Sequence, residues 1–109
     1  MAPPPRAGEW DVRFATNAAA RDWEELGNKA PGNTADAWSL MRENPCPTEH
    51  GQRHHQLKGT LAREQHGGQV YDQWQIEVTG SGRIWYLVDR SRQTIWVTYA
   101  SLRHPKATE

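Results

Sequence analysis

Two stretches of the chain alternate strictly between apolar and polar residues, as strands with one buried face do. They cover residues 10–15 and residues 71–78. In the second, the apolar face holds Trp74, Ile76 and Val78, and the opposite face holds Gln73, Gln75 and Glu77. The alternation therefore predicts two strands, each packed against a core on one side only.

Residues 16–44 show helical spacing instead, with apolar residues three and four positions apart. A first helix is predicted to begin at the N-cap pair Thr16-Asn17 and to end at Gly27-Asn28. Residues 31–34 are predicted to form a capped turn before a second helix that stops before Pro45. The apolar stripes are Ala19, Trp23 and Leu26 in the first helix and Ala37, Trp38, Leu40 and Met41 in the second. Because the connection is tight, the helices are predicted to pack as an antiparallel hairpin.

The last third of the chain predicts two more strands. Residues 79–82 are a hairpin turn, and residues 83–88 are apolar on both faces, as a central strand is. A second turn at 89–93 leads to a β-rich run at 94–99. The order β-α-α-β-β-β predicts an α+β fold, with a helical hairpin on a mainly antiparallel sheet. Residues 1–8 are expected to be a flexible leader, and residues 9–109 a single domain.

Charge and cysteine content restrict the class of binding partner and the cellular compartment. The formal net charge is zero, which argues against a dedicated nucleic-acid binder, yet residues 50–109 hold eight Lys/Arg and five Asp/Glu, a balance of +3. The single cysteine, Cys46, excludes an internal disulfide and is typical of a reducing compartment. No run is long and apolar enough for a membrane span or a signal peptide, so a cytoplasmic location is expected.

Three segments carry a resemblance to a known family. They are Leu57-Lys58-Gly59, the run Gly82-Arg83-Ile84-Trp85-Tyr86-Leu87-Val88-Asp89, and the strand from Thr94 to Ser101 followed by Arg103-His104. With the element order, they resemble the RelE/ParE toxins of bacterial type II toxin–antitoxin systems over about residues 9–106. Some members of that family cleave mRNA on the ribosome, and others poison DNA gyrase without cutting anything.

Metal-free RNA cleavage needs a base, an acid and cations that stabilise the phosphorane. The resemblance implies that Arg83 stabilises phosphate and that His104 is acid or base, and Glu77 is a second candidate base. The structural alternatives are a strand-edge salt bridge for Arg83, a surface histidine for His104 and a solvated carboxylate for Glu77.

Further residues are candidates for binding the RNA. Cations suited to phosphates are Lys58, Arg103 and Lys106, and aromatic rings suited to stacking on a base are Trp85 and Tyr99. The histidines at 50, 54, 55 and 66 match no zinc spacing, so neither a metal nor a cofactor is expected. The family's lysine-rich members carry basic residues about where Gln75 and Glu77 stand here.

The sequence therefore favours a toxin that acts as a ribosome-dependent mRNA endoribonuclease. A non-catalytic inhibitor of DNA gyrase or of another protein is the alternative, which the neutral charge favours, and a degenerate toxin that only binds its antitoxin is a third. Expected partners are a cognate antitoxin, the ribosome and mRNA, with DNA contacted only through the antitoxin and no membrane involved.

Overall fold

A computed structural model describes residues 6–48, 51 and 53–102. In these residues the chain forms two helices, six strands and one short 3₁₀ turn, Gly59–Leu61. The helices are α1 (Asn17–Lys29) and α2 (Pro31–Glu43), and the strands are β1 (Asp11–Phe14), β2 (His54–Gln56), β3 (Arg63–His66), β4 (Gln69–Glu77), β5 (Arg83–Asp89) and β6 (Thr94–Ser101).

The strands form one mixed sheet in the order β1-β6-β5-β4-β2, with β3 paired to the first half of β4. The pair β1–β6 is parallel, and all other pairs are antiparallel. The predicted α+β architecture, with two helices and a mainly antiparallel sheet, is confirmed. The strands β2 and β3 are additions that the sequence pattern does not predict.

The start of α1 is as predicted, but its end is not. The Thr16 side chain accepts a hydrogen bond of 3.0 Å from the backbone N–H of Ala19, which is the expected N-cap. The helix then continues through Gly27 and ends at Lys29. A Cβ added at Gly27 would lie in ordinary contact, 3.9 Å from the Thr34 methyl group, because Gly27 packs against α2. Contact between the helices, rather than local propensity, carries α1 past this glycine.

Replacing Thr16 with alanine is expected to lower the free energy of unfolding by about 1 kcal/mol, because the Ala19 N–H loses its acceptor. Urea denaturation measures the change. Thr60→Ala, on an exposed side chain, is the matched control and is expected to change stability by less than about 0.5 kcal/mol. Equal effects of the two changes would contradict the assignment of the cap.

The prediction of a turn at residues 31–34 is wrong. These residues form the first turn of α2, with Pro31 at its first helical position, where the absent N–H has no helical partner to lose. Ala30 alone connects the helices. Trp23 and Trp38 lie seven residues before and eight residues after Ala30, and their rings are 5.3 Å apart. This contact is that of the predicted antiparallel hairpin.

The core lies between the helical hairpin and one sheet face. It includes Ala19, Leu26, Ala37 and Met41 from the helices and Val12, Trp74, Ile76, Val78, Ile84, Tyr86, Val88, Ile95 and Val97 from the sheet. The predicted apolar face of β4 is therefore buried as expected, and β5 is buried on both faces. The expectation that β4 has only one buried face is wrong, because Gln73 and Gln75 on its other face are buried as well. None of the described helices has the length and apolar character needed to cross a membrane.

The opposite side of the sheet, which no helix covers, is called the open face here. Its residues are Gln73, Gln75 and Glu77 of β4, Arg83, Trp85 and Leu87 of β5, and Trp96, Thr98 and Tyr99 of β6. Alternation adds His55 of β2, which pairs with Gln75. This face brings together residues from four strands that are distant in sequence.

Candidate functional site

The β3–β4 hairpin folds over part of the open face. β3 is hydrogen-bonded only to the outer half of β4, from Arg63 opposite Asp72 to His66 opposite Gln69. The His66 ring nevertheless lies 4.6 Å from the ring of Trp96 on β6, although β4 and β5 lie between β3 and β6 in the sheet. A flat hairpin cannot reach that far, because neighbouring strands are about 4.8 Å apart. The hairpin therefore curls across the sheet and shelters the residues beneath it.

An irregularity in β6 brings Tyr99 onto the open face. The β5–β6 register pairs Trp85 with Tyr99 but Tyr86 with Val97, so Thr98 is an extra residue. Simple alternation from Val97 would direct Tyr99 towards the helices. With the bulge, the Tyr99 ring lies 5.3 Å from the Trp85 ring. The indole N–H of Trp85 donates to Gln75 Oε1 at 2.8 Å, which fixes the ring in place.

Arg83 is buried at the β4–β5 turn, and both of its terminal nitrogens have partners there. Its Nη1 donates to the carbonyl oxygens of Thr79, Gly80 and Gly82 at 3.4, 3.3 and 3.0 Å. Its Nη2 lies 3.2 Å from Glu77 Oε1, directly across the strand pair. The guanidinium therefore holds the turn closed and positions the Glu77 carboxylate. Of the two interpretations of Arg83, the strand-edge salt bridge is the one observed in this structure.

Gly82 leaves little room at the same turn. A Cβ on Gly82 would lie 2.7 Å from Thr79 Oγ1 and 3.3 Å from the Ser101 carbonyl oxygen. The Thr79 hydroxyl also accepts from the Gly82 N–H at 2.8 Å. The turn that carries Arg83 is thus fixed by the Thr79 side chain on one side of Gly82 and by the Ser101 backbone on the other.

His54 and His55 are adjacent in sequence but occupy different surroundings. His54 Nε2 lies 2.6 Å from the Tyr86 hydroxyl and 3.1 Å from the Pro45 carbonyl oxygen, on the helix side of the sheet. The Tyr86 hydroxyl itself donates to that carbonyl. Because Tyr86 gives its hydrogen to Pro45, Nε2 of His54 is the donor in both of its contacts. His54 is therefore part of the buried structure.

His55 has the opposite tautomer and lies half-buried on the open face. Its Nδ1 is 3.0 Å from the carbonyl oxygen of Gln56. A carbonyl only accepts, so Nδ1 carries a hydrogen, and in the neutral ring the lone pair is then on Nε2. A neutral imidazole with a free Nε2 is the form that a general base requires. Sequence reasoning missed this role, although the alternation of β2 with β4 would have found it had β2 been predicted.

Four of the eight predicted site residues lie together. Glu77, Arg83, Trp85 and Tyr99 all lie on the open face, on three adjacent strands. Lys58 lies apart from them, exposed at the start of the 3₁₀ turn. The remaining three, Arg103, His104 and Lys106, lie outside the described residues. Within the described part of the chain, no three His, Cys, Asp or Glu side chains gather as a metal site would require.

Comparisons with known proteins add no relative. No family model, no curated protein and no solved structure matches this chain.

Proposed function

We propose that this protein is the toxin of a type II toxin–antitoxin pair and that it cleaves mRNA on the ribosome without a metal. The observation that carries the proposal is the open face, where the Glu77–Arg83 pair and the neighbouring Trp85 and Tyr99 rings lie beside the strand that presents His55. A base, a cation and a stacking surface are three of the requirements for RNA cleavage through the 2′-hydroxyl.

Each group has a role in this proposal. His55 Nε2 takes the proton from the 2′-hydroxyl, whose oxygen attacks the adjacent phosphorus. Arg83, oriented by Glu77, supplies positive charge to the phosphorane, and the 5′-oxygen leaves with a proton from an acid. His104 remains the proposed acid. The products are a 2′,3′-cyclic phosphate and a 5′-hydroxyl.

The arrangement differs from the one that the sequence favours. There, Glu77 or His104 is the base, but the Glu77 carboxylate is occupied by Arg83 in the structure. His55, whose Nδ1 hydrogen bond leaves the lone pair of the neutral ring on Nε2, takes that role in the proposal. The partners stay as expected: an antitoxin that covers the toxin, with mRNA and the ribosome as substrate and site of action.

Controlled expression with mapping of mRNA 5′ ends tests the function. Cuts at fixed codon positions are expected within minutes of induction and are expected to depend on translation. His55→Gln is expected to reduce the cleavage rate by about 10²–10⁴-fold, the usual contribution of a general base. Primer extension on total RNA measures both.

The control is Arg21→Gln, which changes an exposed side chain of α1 and is expected to leave the cuts unchanged. Growth arrest with intact mRNA and early DNA damage would replace the proposal with inhibition of gyrase. Neither arrest nor cleavage would indicate a degenerate toxin. Cuts that persist in His55→Gln would retain the ribonuclease and remove His55 as its base.

A further inference from the structure

A cavity of about 370 Å³ lies between the folded β3–β4 hairpin and the open face. Its lining includes the rings of Trp85 and Tyr99 on the sheet side and Leu61, Gln65 and His66 on the hairpin side. Pockets for small organic ligands have volumes of roughly 300–1,000 Å³. This cavity is at the lower end of that range, which suits a flat ring system better than a whole nucleotide.

One wall of the cavity is the buried side-chain amide of Gln73, which has a hydrogen-bond donor and an acceptor lone pair that its contacts do not use. Gln73 Nε2 donates to the Leu61 carbonyl oxygen at 2.9 Å, and Gln73 Oε1 accepts from the Thr98 hydroxyl at 3.0 Å. These partners fix which end of the amide is oxygen, because a carbonyl cannot donate. A primary amide has two donor hydrogens and two lone pairs, so one of each remains unused by these contacts. Glutamine presenting a donor beside an acceptor is well suited to the edge of a nucleobase.

The cavity is continuous with the proposed reaction centre. Trp85 lines it, and Trp85 lies two residues from Arg83 on the same strand face, a separation of about 7 Å. A phosphate at Arg83 and a base at Trp85 can therefore belong to one nucleotide or to neighbours. Single-stranded RNA is recognised through bases that are unstacked, placed on aromatic rings and hydrogen-bonded at their edges.

We infer that this cavity binds one unpaired nucleobase of the RNA, held by the Trp85–Tyr99 rings and read by the Gln73 amide. The inference rests on the proposed function and adds a specificity site to it. The hairpin is the structural reason for the site, because without it the aromatic rings would be an open platform that stacks on any base. With the hairpin in place, the identity of the base affects binding.

Binding of the four nucleoside 5′-monophosphates to the purified protein, followed by ligand-observed NMR, tests the site directly. At least one monophosphate is expected to bind, with its base protons receiving the strongest saturation. Leu61→Trp places a larger ring in the cavity and is expected to weaken that binding about tenfold or more. Val70→Ala, on the exposed side of the same hairpin, is expected to leave binding unchanged.

A second variant addresses the reading of the base. Gln73→Glu keeps the acceptor for Thr98 but replaces the amide donors with a carboxylate, so the preferred base among the four is expected to change. Thermal melting shows whether each variant is folded. If Gln73→Glu does not fold, the binding measured with Leu61→Trp alone tests the base site. No binding by the wild type, or equal binding by wild type and a folded Leu61→Trp, would overturn the inference.

The outcomes separate this inference from the function on which it rests. Cleavage with cut positions unaffected by Leu61→Trp and Gln73→Glu would remove the base site and keep the ribonuclease. If the protein binds a base, loses that binding in Leu61→Trp and yet cuts no RNA, the proposed base site would stand and the proposed ribonuclease function would be rejected. Cut positions that shift in Gln73→Glu would support both.

Discussion

Replacing Arg83 with alanine is expected to lower the free energy of unfolding by about 3–5 kcal/mol. The substitution removes the donor for three turn carbonyls and the partner of the Glu77 carboxylate. Both Arg83 and Glu77 are largely shielded from water, with side-chain exposures of 9% and 21%. Breaking a buried pair on one side leaves an uncompensated charge, which costs more than the pair itself contributes. Arg83→Ala is therefore expected to damage the fold as well as any chemistry.

Urea denaturation followed by tryptophan fluorescence measures this loss. Arg83→Lys keeps the charge but has no guanidinium fork, so an intermediate loss is expected. Arg21→Ala, on an exposed side chain of α1, is the control and is expected to change stability by less than about 0.5 kcal/mol. If Arg83→Ala were as stable as the wild type, the clamp on the turn would be disproved.

Above pH 10 the protein is expected to lose stability because of Tyr86. Burial, with a smaller contribution from Cys46, raises the pKa of Tyr86 well above the usual 10.0. The folded state therefore keeps the phenol proton at a pH where the unfolded state has lost it. The stabilisation is complete below pH 10 and falls by about 1.4 kcal/mol per pH unit until the pH reaches the folded-state pKa.

Tyr86→Phe isolates that contribution. The variant is expected to be less stable than the wild type at neutral pH by about 1–3 kcal/mol, because the Pro45 carbonyl oxygen and His54 lose a partner. Between pH 10 and 11, however, its free energy of unfolding is expected to fall less steeply with pH. The difference in slope from the wild type is expected to be about 1.4 kcal/mol per pH unit, which corresponds to one proton. Urea denaturation at pH 8, 10 and 11 gives the slopes. Parallel slopes for the two proteins would show that Tyr86 titrates normally.

Local patterns predict most of the fold, because most of its strands have one or two buried faces. Trp74, Ile76 and Val78 alternate in sequence and are all buried, so the face of β4 follows directly from periodicity. The errors lie where contact between elements overrides local preference. Gly27 is a usual helix end, yet it lies inside α1 because it packs against α2, and Pro31 begins a helix rather than a turn.

The candidate site is less predictable because it depends on pairing between strands. Tyr99 lies on the open face because of a β-bulge, and no pattern of residues in the sequence predicts that bulge. Arg83 is correctly predicted to open a strand, but its partners come from the turn geometry. His55 could not be placed beside Gln75, because a three-residue strand is too short to recognise from its sequence. The cavity depends on the curled hairpin, which in turn depends on Gly67 and Gly68, both with positive φ.

The parallel pairing of β1 with β6 has a consequence for the order in which the molecule is built. Asp11 pairs with Thr94, so the first strand has no neighbour until the last strand has been synthesised. Pairing over such a separation is slow, because the intervening chain must close a long loop before the two strands meet. Because the open face takes residues from both β2 and β6, it is assembled only once nearly all of the described chain has been made.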